Sequence, residues 1–341
     1  MKKIYCILTT FLVLVGAYMI PLSTHAQDLE YVGSYNTPSY ALAISVLGNY
    51  AYVADYASGL QIIDISNPAN PTFAGSYATP DYAWGVCVRG NYAYLADLSS
   101  GLLIIDVSNP ANPTLAGSRD TPDWALNVFA SGNYAYVADY VSGLQIINVS
   151  NPANPDSAGA YDLPGNAHDV FIRGSFAYVA DHDSGFQIIN VSDPANLTLE
   201  GSYDTPGYAV AVVVLGNYAY VADHDFGLQI INISNPVNPT LAGSYDTPGY
   251  ARGVFVLGNY AYVADDSCGL QIINVSNPAN PTLAGSYDTP GYASGFFVLG
   301  NYVYVADVFS LIILRFSPTA VEENNDQIPQ NISLSQNYPN P

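Results

Sequence analysis

Residues 217–223 read Asn217-Tyr218-Ala219-Tyr220-Val221-Ala222-Asp223, and this phrase decides the fold. The Asp that ends it recurs at 55, 97, 139, 181, 223, 265 and 307, always 42 residues apart. A Gly that usually precedes Asn-Tyr keeps the same step at 48, 90, 132, 174, 216, 258 and 300. So does the Gly that usually opens Gly-Ser-Tyr, at 33, 75, 117, 159, 201, 243 and 285. Seven copies without insertion or deletion mark a repeat architecture.

Each copy holds four strand-like runs separated by turn residues. In the fifth copy these are Tyr208–Leu215, Tyr218–Ala222, Leu228–Ser234 and Leu241–Tyr245. They are short and rich in β-branched and aromatic residues. Pro236 and Pro239 exclude a helix or a central strand between the last two runs. Asp246-Thr247-Pro248-Gly249 ends the copy as a turn. The inner runs, such as Val212-Val213-Val214 and Ile230-Ile231, do not alternate apolar with polar. A sheet with one wet face would alternate, so these sheets are covered on both sides.

Four-stranded sheets repeated every 40–45 residues and stacked face to face describe a β-propeller, here with seven blades. The ends of the array predict how it closes. A lone fourth strand, Leu29–Tyr35, precedes the first copy. The last copy has a first (Tyr292–Val298), second (Tyr302–Ala306) and third (Leu311–Phe316) strand but no fourth. The two ends together make one complete sheet, which removes the open terminal sheets of a linear stack. This last copy is degenerate: Leu311 replaces the turn Gly, and Leu314 is read as standing where the others have Asp or Asn.

The phrases Gly-Leu-Gln-Ile-Ile-Asn-Val-Ser-Asn-Pro-Ala-Asn-Pro and Asn-Tyr-Ala-Tyr-Val-Ala-Asp resemble the LVIVD repeat family over about residues 29–316. The resemblance implies a secreted or surface-associated bacterial propeller and carries over no catalytic residues. The segment Ile332–Pro341 resembles the opening of the C-terminal sorting domain used in type IX secretion. The chain ends at Pro341, where that domain would only be beginning, so a truncated sorting domain is expected.

The N-terminus supports the same address. Lys2 and Lys3 precede an apolar run from Ile4 to Ile20, then Pro21 and the small-residue end Thr24-His25-Ala26. That is the grammar of a cleaved secretory signal peptide. The expected organisation is a signal peptide (1–26), a propeller (27–316), and a linker with the start of a sorting domain (317–341). The mature chain is expected to span no membrane.

Composition narrows the partners. Of 341 residues, 28 are acidic and 7 basic, for a net charge of −21. Half the residues are hydrophobic, too many for a disordered chain. The acidity disfavours nucleic acid and anionic membranes. Cleavage after Ala26 leaves Cys87 and Cys268 four repeats apart, too distant for a disulfide.

The turns after the second and fourth strands share one face of the ring, called the upper face. It collects the seven repeat Asp residues, the Asp-Thr-Pro-Gly turns, and Trp124, Tyr208 and Tyr250 among other aromatics. The repeat Asp residues are assigned to hairpin structure, accepting nearby backbone N–H groups. The candidates for a cation are Asp181 with Asp183 and Asp223 with Asp225, two carboxylates two residues apart; they lack the remaining ligands of a calcium loop. No cofactor other than calcium is suggested. One column varies far more than its neighbours: Leu42, Trp84, Leu126, His168, Val210, Arg252, Ser294. It marks positions the fold does not dictate, so Trp84, His168 and Arg252 are candidate pocket residues near the channel mouth.

No catalytic triad or paired-Glu spacing is evident, and Glu30 and Glu200 are the array's only Glu residues. The expected function is a secreted or cell-surface, non-catalytic binding or adhesion module, monomeric, whose acidic, Tyr-rich upper face meets an extracellular glycan or protein. The alternative is an extracellular hydrolase or lyase with its site at the mouth of the channel.

Overall fold

The computed structural model describes residues 29–316. The expected signal peptide (1–26) and the tail (317–341) lie outside them. Twenty-eight strands form seven four-stranded antiparallel sheets, with no helix among the described residues. The first strands of blades 1 to 7 are Ala43–Leu47, Gly85–Arg89, Asn127–Ser131, Asp169–Arg173, Ala211–Leu215, Gly253–Leu257 and Gly295–Leu299. Each packs on the first strands of both neighbours, and the seventh packs on the first, so the sheets close into a ring.

The latch is the expected one. Strand Leu29–Ala41 is antiparallel to Val308–Phe316, with Leu29 opposite Phe316 and Tyr35 opposite Leu311. It completes the sheet begun by Gly295–Leu299. The turn leading into Val308–Phe316 is shorter than its equivalents: the Asp307 N–H donates to Ser310, where Asp265 donates to Gly269. Leu311 therefore lies opposite Ala306, and the residue opposite Tyr302 is Arg315. Arg315, not Leu314, occupies the place that Asn274 holds opposite Tyr260 in blade 6.

Blade 5 shows the internal register. Ala211 faces Ala222, Tyr218 faces Asn232, and Leu228 faces Tyr245. Its first strand is Ala211–Leu215, three residues shorter than the run that begins at Tyr208. The missing residues serve the upper face instead: Ala209 forms an isolated bridge to His182 of blade 4.

Non-alternating strands follow from where the core lies. There is no single core; seven apolar clusters fill the seven blade junctions. Across the closing junction, Ile44, Ala51, Val53 and Ile63 of blade 1 meet Tyr304, Ala306, Leu311 and Ile313 of blade 7. On the other face of blade 1, Tyr52, Ala54, Leu60 and Ile62 meet Val86, Ala93 and Leu95 of blade 2. Both faces of each inner strand thus lose water, at ~25 cal/mol per Å2 of apolar area.

The invariant Gly of Gly-Ser-Tyr has a steric origin. A Cβ on Gly75 would lie 2.2 Å from the carbonyl oxygen of Pro110 in the next blade. The fourth strand packs backbone to backbone against the neighbouring Asn-Pro-Ala-Asn-Pro loop. The Gly before Asn-Tyr answers a different demand: Gly48 has φ +59° in the tight turn between the first two strands, with open space around it.

Candidate functional site

The upper face is built at the blade junctions. Each repeat Asp ends a second strand and turns its carboxylate into the connection arriving from the preceding blade. Asp223 accepts the Gly207 N–H at 2.9 Å and the Thr205 hydroxyl at 2.5 Å. Asp265 repeats this with Gly249 and Thr247, and Asp139 with Asp123 and Thr121. These Asp residues are structural, as expected, but their reach differs. They tie a hairpin to a connection 16–18 residues earlier rather than only closing their own turn. Burial pushes the carboxyls of Asp55, Asp223 and Asp265 up to about 6, despite the bonds that favour the charged form.

The residue after each Asp occupies the left-handed region, from φ 37° at Leu98 to 52° at Val308. For Tyr56, Tyr140, His182 and His224 this conformation costs about 1 kcal/mol or more. A pair of backbone bonds to the next blade offsets it: the Tyr56 N–H donates to Ala83, and the Ala83 N–H donates back to Tyr56. The side chain is thereby held between two blades, facing the aromatic residue of the next connection.

This geometry builds stacked pairs. Tyr56 lies on Tyr82 (centroids 4.2 Å, 7° between planes), His182 on Tyr208 (4.3 Å, 14°) and His224 on Tyr250 (4.4 Å, 11°). His168 stacks on the other side of His182 at 4.7 Å, and Trp124 on Tyr140 at 5.4 Å. Edge contacts at 6.0 Å (Tyr140–His168) and 6.1 Å (Tyr208–His224) join them. Seven rings therefore run unbroken across blades 3 to 6: Trp124, Tyr140, His168, His182, Tyr208, His224, Tyr250. A shorter run, Phe309–Tyr40–Tyr56–Tyr82, crosses blades 7 to 2. Exposure confirms a surface feature: Trp124 is 50% and Tyr208 44% exposed.

Of the candidate pocket and contact residues, Trp124, His168, Tyr208 and Tyr250 are brought together in the long run. Trp84 belongs to the short run, edge-on to Tyr56 at 6.2 Å. Arg252 is engaged in an ion pair with Asp266 at 3.2 Å. Burial, with His182 adding to it, lowers the His168 imidazole to about 4, so it is neutral at pH 7. Tyr56, Tyr140, His182, His224 and Phe309 are the ring residues that the sequence did not mark as contacts. The column immediately after the repeat Asp would have shown Tyr56 and Tyr140, had it been read as a column.

The candidate cation residues do not converge. Asp181 and Asp223 are fully buried and point into the blade junctions, while Asp183 and Asp225 are exposed beside His182 and His224. Among the described residues no group of three or more His, Cys, Asp or Glu is arranged to hold a metal ion. No disulfide joins Cys87 and Cys268, as expected.

Below the mouth, Asp169 braces the channel wall. It accepts the Asn127 amide at 2.6 Å, the Val170 N–H at 2.8 Å and the Val212 N–H at 2.8 Å, linking the first strands of blades 3, 4 and 5. Burial raises its carboxyl to about 6.

Fold and upper face together define a seven-bladed propeller, a class in which a rigid ring presents loops for binding or scaffolding. The chain belongs to the LVIVD repeat family, whose pattern matches residues 38–79, 80–121, 124–163, 164–205, 206–247, 248–289 and 290–317. No curated protein matches it in sequence. Solved structures share the fold at low identity. The Neurospora crassa Pan2 WD40 domain superposes with a TM-score of 0.69 at 10% identity, over 85% of this chain and 96% of that one. The RRP9 WD40 repeats give 0.68 at 9%, over 85% and 98%. The computationally designed Ika8 protein gives 0.61 at 6%, over 83% and 98%. At such identities these likenesses concern the ring alone.

Proposed function

We propose that this protein is an exported, non-catalytic binding module that meets an extracellular glycan or protein with its upper face. The observation that carries this reading is the unbroken run of rings from Trp124 to Tyr250. The apolar clusters between blades hold the ring together without Trp124, Tyr208 or Tyr250, which stay exposed. Large exposed aromatics grouped on one face are typical of recognition surfaces. Export is supported by the basic, apolar and small-residue order of residues 1–26 and by the Ile332–Pro341 sequence.

A glycan and surface-protein array, probed with and without calcium, tests the reading. The triple variant Trp124→Ala, Tyr208→Ala, Tyr250→Ala should lose at least about tenfold in affinity for any ligand found. Equal binding by both proteins would discard the upper face as the contact surface. Mass spectrometry of the secreted chain should find Gln27 at its N-terminus; a chain beginning at Met1 would discard the cleaved leader.

A further inference from the structure

Between blades 4 and 5 the upper rim opens into a groove of about 500 Å3, lined chiefly by Tyr203, Asp204, Thr205, Phe226, Leu241 and Asp246. Its charged lining is of one sign, and the exposed Ser244 hydroxyl can donate or accept. Thr205 donates its hydroxyl hydrogen to Asp223, and Gln229 Nε2 donates to the Phe226 carbonyl at 2.8 Å. Asp204 and Asp246 present exposed carboxylates, and no cationic side chain is among the described residues lining the groove. The arginines are committed elsewhere: Arg89 to Gly132, Arg173 to Gly216, Arg119 to Asp156, Arg252 to Asp266 and Arg315 to Glu30. A neutral guest would leave two acceptor groups of like charge unbalanced. A cation with several N–H donors relieves both deficits.

The rest of the wall is apolar. Phe226 and Leu241 are 47% and 46% exposed, and Tyr203 adjoins them. An aliphatic stem with a charged tip fits such a lining: the stem covers the apolar wall while the tip meets the carboxylates. Five other junctions hold Ser58, Ser100, Ser142, Ser184 or Cys268 in the place of Phe226, and only the shortened turn of blade 7 also has a Phe there, Phe309. The fold therefore does not require it. The groove also adjoins the aromatic run. The connection that carries Asp204 continues to Tyr208, and the turn that carries Phe226 begins beside His224.

We propose that this groove receives an arginine or lysine side chain from a basic segment of a partner protein, the segment lying along the ring run of blades 3 to 6. The proposal rests on the upper face being the contact surface and adds the chemistry of the partner.

Calorimetry on the full-length protein at physiological salt tests it, with the peptides Gly-Arg-Gly-Arg-Gly and Gly-Glu-Gly-Glu-Gly and a neutral chitotriose as probes. The arginine peptide should bind, and the glutamate peptide and the sugar should not. Phe226→Ser, and Asp204→Asn combined with Asp246→Asn, should each weaken the arginine peptide at least about tenfold. Both changes suit the fold, since Ser and Asn36 already occupy those places in other copies; an unchanged melting temperature verifies it. Absent binding of the arginine peptide, binding indifferent to both variants, or preferential binding of chitotriose would overturn the proposal. The two readings fail separately. If an array ligand is lost with Trp124→Ala, Tyr208→Ala, Tyr250→Ala but kept with Phe226→Ser, the groove is wrong and the upper face stands. If it survives all of them, the upper face itself is wrong.

Discussion

The Thr205 hydroxyl donates to the Asp223 carboxylate at 2.5 Å, tying the connection out of blade 4 to the hairpin of blade 5. Blades 3 and 6 have the same bond, from Thr121 to Asp139 and from Thr247 to Asp265. Blade 4 cannot make it, because Leu163 stands where the others have Thr. Asp181 keeps its bond from the Gly165 N–H at 3.0 Å, but its second oxygen is buried without a partner. Its carboxyl is raised to about 7, by burial first and then by Asp183.

Restoring the missing donor should therefore stabilise the ring. Leu163→Thr is expected to add ~1 kcal/mol at neutral pH, and Thr205→Val to remove about 1–2 kcal/mol by leaving Asp223 as Asp181 is now. Urea unfolding of the two variants beside the parent checks both signs. A destabilised Leu163→Thr would show that loss of the Leu163 packing outweighs the bond.

Stability should depend on pH in the direction opposite to an ordinary ion-paired protein. Asp55, Asp223 and Asp265 near 6 and Asp181 near 7 all lie above the usual carboxylate value, so the native state binds protons more tightly than the unfolded chain. By linkage, their contribution is greatest below about pH 4 and is lost as pH rises through 6 to 7. His168, lowered to about 4, opposes this below pH 6.5, but it is one group against several. The melting temperature should be higher at pH 5.5 than at pH 8, a window set by ~1–2 pH units around these carboxyls. Asp181→Asn should flatten the profile, and a melting temperature that climbs towards pH 8 would contradict the account.

Asp169 holds three first strands through one carboxylate. Asp169→Ala should cost about 2–3 kcal/mol, since it strands the Asn127 amide and the Val212 N–H inside the wall. Asp169→Asn keeps an acceptor and should cost less. Denaturant midpoints rank them, and equal midpoints would mean that water replaces the carboxylate.

Two glycines should respond differently to the same change. A Cβ on Gly159 would lie 1.8 Å from the Pro194 carbonyl oxygen, so Gly159→Ala must push two blades apart, at a cost of about 3 kcal/mol. Gly174 has φ +60° and open space around it, so Gly174→Ala carries only backbone strain of ~1 kcal/mol. Thermal unfolding of the pair distinguishes steric from conformational demand.

Much of the ring was legible before any coordinates. Seven identical steps set the blade number, the paired prolines excluded a helix, and the unpaired runs at Leu29 and Leu311 showed how the circle joins. The reading faltered where a residue's neighbour lies in another repeat. Tyr208 looked like the start of a strand, yet it stacks on His182 of the preceding blade. The step of 42 from Asn274 ends on Phe316, and the sequence reading put Leu314 there, but a turn one residue shorter brings Arg315 into that position.

The amino-acid order alone determined the local grammar, because strand pairing, turns and two-sided burial depend on residues within one period. Only the tertiary structure decided which side chains meet across junctions: the Asp169 brace, the Thr205–Asp223 tie and the ring run from Trp124 to Tyr250. The physical reason is that these contacts depend on the angle and offset between successive blades. Those are set by how the apolar clusters pack, a property of two sheets together and not of either repeat alone.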